Sequence, residues 1–234
     1  MLIICSSYVS VRSQRLPLKV IAAFLRLGKK YEITQLRLEA TTRLTHDFPS
    51  TLDKWDNVSN EYELVEEYPG LPYDIISLAR EQGLYAILPA VFYIIIIRLD
   101  LDSAYDPIQR GDGSTAVLSA EDHIMCTRAW WQLIRDQAEL TFSWLDTNGS
   151  WKGECNFPCI TYRNGFRSAL FPVEFPPVLD CKALFGWDSD WEDILCDTCA
   201  RTAQRLHEDG RAEIWRKLPL YFGLPAWEEL LKSD

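Results

Sequence analysis

Apolar residues recur at Leu18, Ile21, Ala22 and Leu25, an i, i+3, i+4, i+7 spacing that predicts a helix with one apolar face. Pro17 suits its first turn, where a missing N–H costs nothing, and Gly28 followed by Lys29 and Lys30 marks its end. A second helix is predicted from about Glu32, with Ile33, Leu36, Ala40 and Leu44 facing inward and a Glu39–Arg43 pair outside. Two short amphipathic helices must pack on something else. Ile75, Leu78 and Ala79, before Gly83, predict a third helix. Residues 84–97 predict a fourth, apolar throughout, with Pro89 in its first turn. Ile94 to Ile97 would equally suit a buried strand, and helix is preferred. Residues 100–119 read as a loop. Ser119-Ala-Glu-Asp122 then opens a helix of capping-box type, whose face runs through Ile124, Trp131, Ile134, Ala138 and Leu145. Residues 158–177 read as irregular, with prolines at 172, 176 and 177. Residues 191–218 read as one long helix with Ile194, Leu195, Leu206, Ile214 and Leu218 inward, a break at Gly210 and a stop at Pro219.

The wording Leu-Arg-Leu-Gly-Lys-Lys-Tyr-Glu-Ile-x-x-Leu-Arg-x-x-Ala, from Leu25 to Ala40, resembles the helical end of a BTB/POZ domain, in the form found in proteins of mushroom-forming fungi. The phrase Phe-Pro-Ser-Thr-Leu-x-x-Trp-Asp that follows, and the ending Trp-Arg-Lys-Leu-Pro-x-x-Phe-Gly-Leu-Pro-x-Trp-Glu-Glu-Leu, are similar to the same proteins. The resemblance implies a protein-interaction module, with a substrate adaptor for a cullin-type ubiquitin ligase as its specific form, and no enzymatic activity. It also implies that the sheet-forming N-terminal half of the BTB domain is missing, since only one short element, over 2–11, precedes the helices. Homodimerisation is therefore not expected. The expected fold class is mainly α: a BTB-type helical hairpin over 1–48, packed on a larger helical region over 49–234 with irregular cysteine-bearing loops.

Charge narrows the partners. The net charge is −10, yet residues 1–44 hold eight Lys/Arg against two Asp/Glu, and the rest sixteen against thirty-two. An acidic chain without a basic run repels a phosphate backbone, so the expected partner is a protein and not nucleic acid. The longest charge-free apolar run has 14 residues, against the roughly 20 that a spanning helix needs, so no membrane is expected. Seven cysteines without a secretory signal fit a reducing intracellular compartment, cytoplasmic or nuclear.

Candidate chemistry is sparse. His46, His123 and His207 each lie on a predicted helix without a nucleophile motif, and the nine tryptophans read first as core. One constellation stands out. Cys155-Asn-Phe-Pro-Cys159 and Cys196-Asp-Thr-Cys199 are two close thiol pairs, the arrangement from which structural zinc sites are built. Cys196 and Cys199 share one helical face at i and i+3, near the positive N-terminal end of the long helix. Cys181, between the pairs, could replace one member. Zinc held by Cys155, Cys159, Cys196 and Cys199 would clip a segment that apolar burial alone cannot order. The alternatives are a zinc-bearing regulator or metal-dependent enzyme built on the same four residues, an inactive truncated gene product, or reduced cysteines that act only as small apolar fillers.

Overall fold

The computed structural model describes residues 14–58, 61–98, 106–146, 157–171 and 180–233. The expected element at 2–11, the loop start at 100–105 and the prolines at 172, 176 and 177 lie outside these residues, as does Cys155. The described chain is mainly α-helical, with nine α-helices and one two-stranded sheet. It forms two compact units, Met1–Ile124 with Leu224–Asp234, and Met125–Gly223. The N-terminal hairpin shares the first unit with the residues that follow it to 124.

In the first unit, α1 (Leu18–Lys30) and α2 (Thr34–Asp47) form an antiparallel hairpin. Leu18, Ile21, Ala22 and Leu25 are buried, as their spacing requires. Gly28 does not end α1 but lies inside it. A Cβ there would sit 3.0 Å from the Arg37 nitrogen and 3.1 Å from the Ile33 carbonyl oxygen, so glycine is what lets the two helices close. The turn is made instead by Glu32 in the left-handed region (φ 56°).

Helix α2 departs most from expectation. Ile33 is exposed, while Arg43 is only 1% exposed. Arg43 does pair with Glu39, at 2.9 Å, but its guanidinium points inward and donates to the carbonyls of Gln14 (2.7 Å) and Leu64 (3.4 Å). One turn on, the buried Asp47 carboxylate accepts from the backbone N–H groups of Glu63, Leu64 and Val65 at 2.9–3.1 Å. The same segment bonds Leu16 on its other side, Leu16 N–H to the Leu64 carbonyl and Glu66 N–H to the Leu16 carbonyl, both at 3.0 Å. The acidic connector is thus stitched between α2 and the chain entry.

Thr51 Oγ1 accepts from Lys54 N–H at the start of the short α3 (Leu52–Asp56). Helix α4 (Leu71–Gln82) runs between Gly70 and Gly83, both at positive φ, and α5 (Leu88–Ile97) is buried from Leu88 to Ile96. Ile94 to Ile96 are helical because burial on every side, not a sheet partner, satisfies them. The loop carries a small antiparallel ribbon, β1 (Ile108–Gln109) against β2 (Thr115–Ala116). At the start of α6 (Ala120–Asp136), Ser119 Oγ caps Asp122 N–H at 3.1 Å, and the Asp122 carboxylate receives Arg80 from α4. Helix α9 (Trp227–Ser233) sets Trp227 and Leu230 into the same core, against the 3₁₀ turn at Tyr85–Ile87.

In the second unit the apolar residues of α6 that are buried are Cys126, Ala129, Leu133 and Ile134. Of the expected stripe only Ile134 and Leu145 are buried; Trp131 (67%) and Ile124 (54%) are exposed and Ala138 is on the surface. The helix widens into a π turn at Gln137–Thr141 and ends in a 3₁₀ turn at Ser143–Leu145. The segment expected to be irregular contains α7 (Phe157–Leu170), with Pro158 in the first turn, where it costs no hydrogen bond. Trp191 belongs to a separate 3₁₀ turn, Ser189–Trp191, and the long helix α8 is Asp197–Tyr221. It does not break at Gly210, and it carries Pro219 within its last turn. A Cβ at Gly210 would collide with the Leu140 carbonyl and lie 2.6 Å from the Thr141 nitrogen, so α8 and the π turn touch through backbone.

Two outcomes follow from this packing. Asp47→Ala leaves three backbone donors without their acceptor and lowers stability by about 3 kcal/mol in urea titration; an unchanged midpoint removes Asp47 as an anchor. Gly210→Ala costs about 2–3 kcal/mol by overpacking, whereas Gly165→Ala, in open space on α7, gains up to about 1 kcal/mol. Equal effects of the two substitutions would contradict the close backbone contact.

Candidate metal centre

The centre lies in the second unit, where two helices begin. Cys159 sits in the first turn of α7, Cys196 is the N-cap of α8 with an extended backbone (φ −72°, ψ 155°), and Cys199 falls in the first turn of α8. Their Sγ atoms all lie within 4.8 Å of one another. Cys159 and Cys199 are buried in the core and Cys196 is exposed, so the cluster has a dry floor and one open side. The Cys196 N–H donates to Cys159 Sγ at 3.3 Å, which ties the two helix starts together.

An aromatic core holds this arrangement. Trp191 packs against Trp187 (ring centroids 5.1 Å apart), Trp144 (5.5 Å) and Phe166 (6.1 Å), with Phe142 beside it. From α7, the buried Arg163 donates to the carbonyls of Trp144 (2.7 Å) and Asp146 (2.6 Å), which fixes α7 to the turn below it. From α8, Arg211 donates through Nε and Nη2 to the Leu184 carbonyl, at 3.2 Å each. Gln137 spans the π turn and the segment at 180–182, accepting from Lys182 N–H at 2.6 Å and donating to the Asp180 carbonyl at 3.2 Å.

His207, fully buried on α8, belongs to this scaffold. Trp144 Nε1–H donates to its Nδ1 at 3.3 Å, and its Nε2 faces the Phe185 carbonyl at 2.8 Å, partners that assign the neutral Nε2–H tautomer. Burial pushes its pKa down from 6.5, and the Phe185 carbonyl only partly offsets this. His46 lies on the surface beside Asp47 and Glu63.

Of the four residues picked out in sequence, the structure brings together Cys159, Cys196 and Cys199, while Cys155 lies outside the described residues. Cys181 is described and is not in the cluster. Tetrahedral zinc with bonds of about 2.3 Å to sulfur sets the sulfurs about 3.8 Å apart. The three thiols therefore need to contract by no more than about 1 Å, and the cluster could hold a metal ion. The aromatic floor and Arg163 were not legible as site residues, because neither an isolated Trp nor an isolated Arg carries a ligand signal.

No protein-family model matches the chain, and no match was found among curated proteins or among solved structures. Fold and site therefore define a mainly α-helical protein with a three-thiol cluster. Among the described residues no helix is long and apolar enough to cross a membrane.

The buried imidazole makes stability depend on pH. Its folded pKa lies below 6.5, so an unfolded chain takes up the proton first as pH falls. The stabilisation from neutral His207 is whole above pH 6.5 and is lost as pH drops from there through the folded value. Thermal melts between pH 7.5 and 5 should show this fall, and NMR titration should find the His207 ring neutral below pH 6.5. A ring that titrates at its ordinary value would contradict the buried, doubly bonded assignment.

Proposed function

We propose that the chain is a non-enzymatic protein-interaction module of BTB/POZ type whose second unit is held by a structural zinc ion. The observation that carries the metal is the convergence of Cys159, Cys196 and Cys199 within 4.8 Å from two separate helix starts. Thiolates select zinc among the abundant divalent ions, and a clip across α7 and α8 stabilises the folded state by its binding free energy. The interaction reading is supported by the packed hairpin at Leu18–Lys30 and Thr34–Asp47, which coincides with the family-like wording. It is supported also by the apolar side chains exposed near the hairpin turn, Leu27, Tyr31, Ile33 and Leu38, the kind of surface that a partner covers. Within this reading the chain is an intracellular adaptor for a cullin-type ubiquitin ligase.

A second reading has its own observation. Cys196 is exposed, and zinc with three protein ligands keeps a fourth position for water or substrate, which would make the chain a zinc-bearing regulator or metal-dependent enzyme.

Metal analysis and X-ray absorption separate these readings. The purified chain should carry about one zinc with four sulfur neighbours, and Cys199→Ser should lose it and become sensitive to protease around 157–171. Three sulfurs with one lighter neighbour would favour the second reading, and a metal-free, fully folded chain would remove zinc altogether. Calorimetry against a cullin N-terminal domain tests the adaptor: Leu27→Asp with Leu38→Asp should weaken binding at least tenfold, and no binding by the unaltered chain rejects it.

A further inference from the structure

Two of the three thiols differ in a way that metal binding does not require. Cys196 caps α8 from outside the helix and is exposed, whereas Cys199, three residues on, is 1% exposed and packed beside Leu195, Ala200 and Ala203. One sulfur is open to a reagent in solution, and its neighbour is shielded yet adjacent. Thiol–disulfide exchange needs this division, because an accessible thiolate must attack and a nearby one must resolve the mixed disulfide. The N-terminal end of a 25-residue helix also favours negative charge at the attacking position.

Geometry selects the resolving partner. A disulfide places its sulfurs about 2.05 Å apart, so closure from within 4.8 Å asks for at most about 2.8 Å of approach. Between Cys196 and Cys199 this is supplied by side-chain rotation within one turn, since the Cys196 backbone is not yet helical. Closure onto Cys159 would instead bridge two helices, and Cys159 Sγ is already engaged as the acceptor of the Cys196 N–H.

We propose that Cys196 and Cys199 form a redox-active dithiol that exchanges with small-molecule disulfides and in doing so expels the bound metal. The Cys196 thiolate attacks one sulfur of a disulfide RSSR. The RS–SR bond breaks, one RS⁻ leaves and takes up a proton as RSH, and a Cys196–S–SR bond forms. The Cys199 thiolate then attacks Cys196 Sγ and displaces the second RS⁻, which is likewise protonated. Two electrons and two protons pass from the protein to RSSR, giving one intramolecular disulfide and two RSH. A disulfide sulfur is not a thiolate ligand, so two of the metal's thiolate ligands are lost together. The metal-release part rests on the zinc reading above; the dithiol part does not.

The test uses the full chain, both as purified and after its metal is stripped by a chelator, in buffers of graded oxidised and reduced glutathione. Alkylation and tryptic mapping follow, because residues 183–201 form one tryptic peptide holding both Cys196 and Cys199, and residues 153–163 form another holding Cys155 and Cys159. As the buffer becomes more oxidising, the 183–201 peptide should lose two hydrogens and resist alkylation. About one zinc per chain should appear in a chromophoric chelator at the same ratio. Cys199→Ser should stop at a glutathione adduct on Cys196, with circular dichroism confirming that the variant is folded, and Cys159→Ser should still close the disulfide while holding no zinc. A cross-link between peptides 183–201 and 153–163, or an unreactive Cys196 in the metal-free wild-type chain, overturns the proposal. A chain that carries no metal but still closes 196–199 supports the dithiol and rejects only the zinc. A chain that keeps its zinc and never closes, even when stripped, rejects only the dithiol.

Discussion

A stretch of irregular backbone laid against an apolar core must have its carbonyls and amides met by something other than a helix or a sheet. In both units that task falls to charged and polar side chains that helices carry inward. Arg43 on α2 holds the Gln14 and Leu64 carbonyls, Arg163 on α7 holds those of Trp144 and Asp146, and Arg211 on α8 holds that of Leu184. Asp47 does the complementary work on three amides, and Gln137 and Thr141 on the segment at 180–183. A buried guanidinium has five donors, and spreading them over neutral carbonyls satisfies it without a matching buried carboxylate. Removing one of these side chains would strand backbone groups on a separate segment as well as the site it left.

This dependence reaches the thiol cluster directly. Cys159 is placed by α7, α7 is fixed through Arg163 to the turn that carries Trp144, and Trp144 in turn donates to His207 on α8, the helix that begins at Cys196 and Cys199. The three sulfurs therefore meet at the end of a chain of polar contacts set in an aromatic floor. A metal ion there would add its own bonds to contacts that already converge on the three sulfurs.

How much of this the amino-acid order discloses depends on which side chains write the pattern. The stripe of α1 and the wholly apolar α5 are spelled in leucine, isoleucine and alanine, and their positions and inward faces can be read from spacing. The stripe of α7 runs through Cys159, Arg163, Phe166 and Leu170, at helical intervals, but Arg163 does not count as apolar, and Pro158 and Gly165 point to a loop. Arg43 deceives in the same way, since an Arg four residues after a Glu reads as a solvated pair. Trp131 errs oppositely, a large apolar residue at a core interval that lies outside because the buried face of α6 runs through Cys126, Ala129 and Leu133. Glycines are the hardest to read. Gly28 looks like a helix end and Gly210 like a break, yet both are contact points, because what matters there is the backbone of another element, at Ile33 and Arg37 for the first and at Leu140 for the second. At the thiol cluster the Cys196/Cys199 pair is legible from its spacing, though Cys196 lies just outside α8 and not on it, whereas the arrival of Cys159 depends on a helix that periodicity does not reveal.

The crowding of rings around Trp191 has an optical consequence. Indole transition dipoles 5.1–5.5 Å apart, as in the Trp187, Trp144 and Trp191 group, couple strongly and in a fixed chiral arrangement. Their near-ultraviolet circular dichroism is thus a signature of the second unit's interior, built on the same residues that floor the thiol cluster. A change in the packing at Cys159 or Cys199 would register in that spectrum before any helix is lost, giving the molecule a built-in reporter that needs no label.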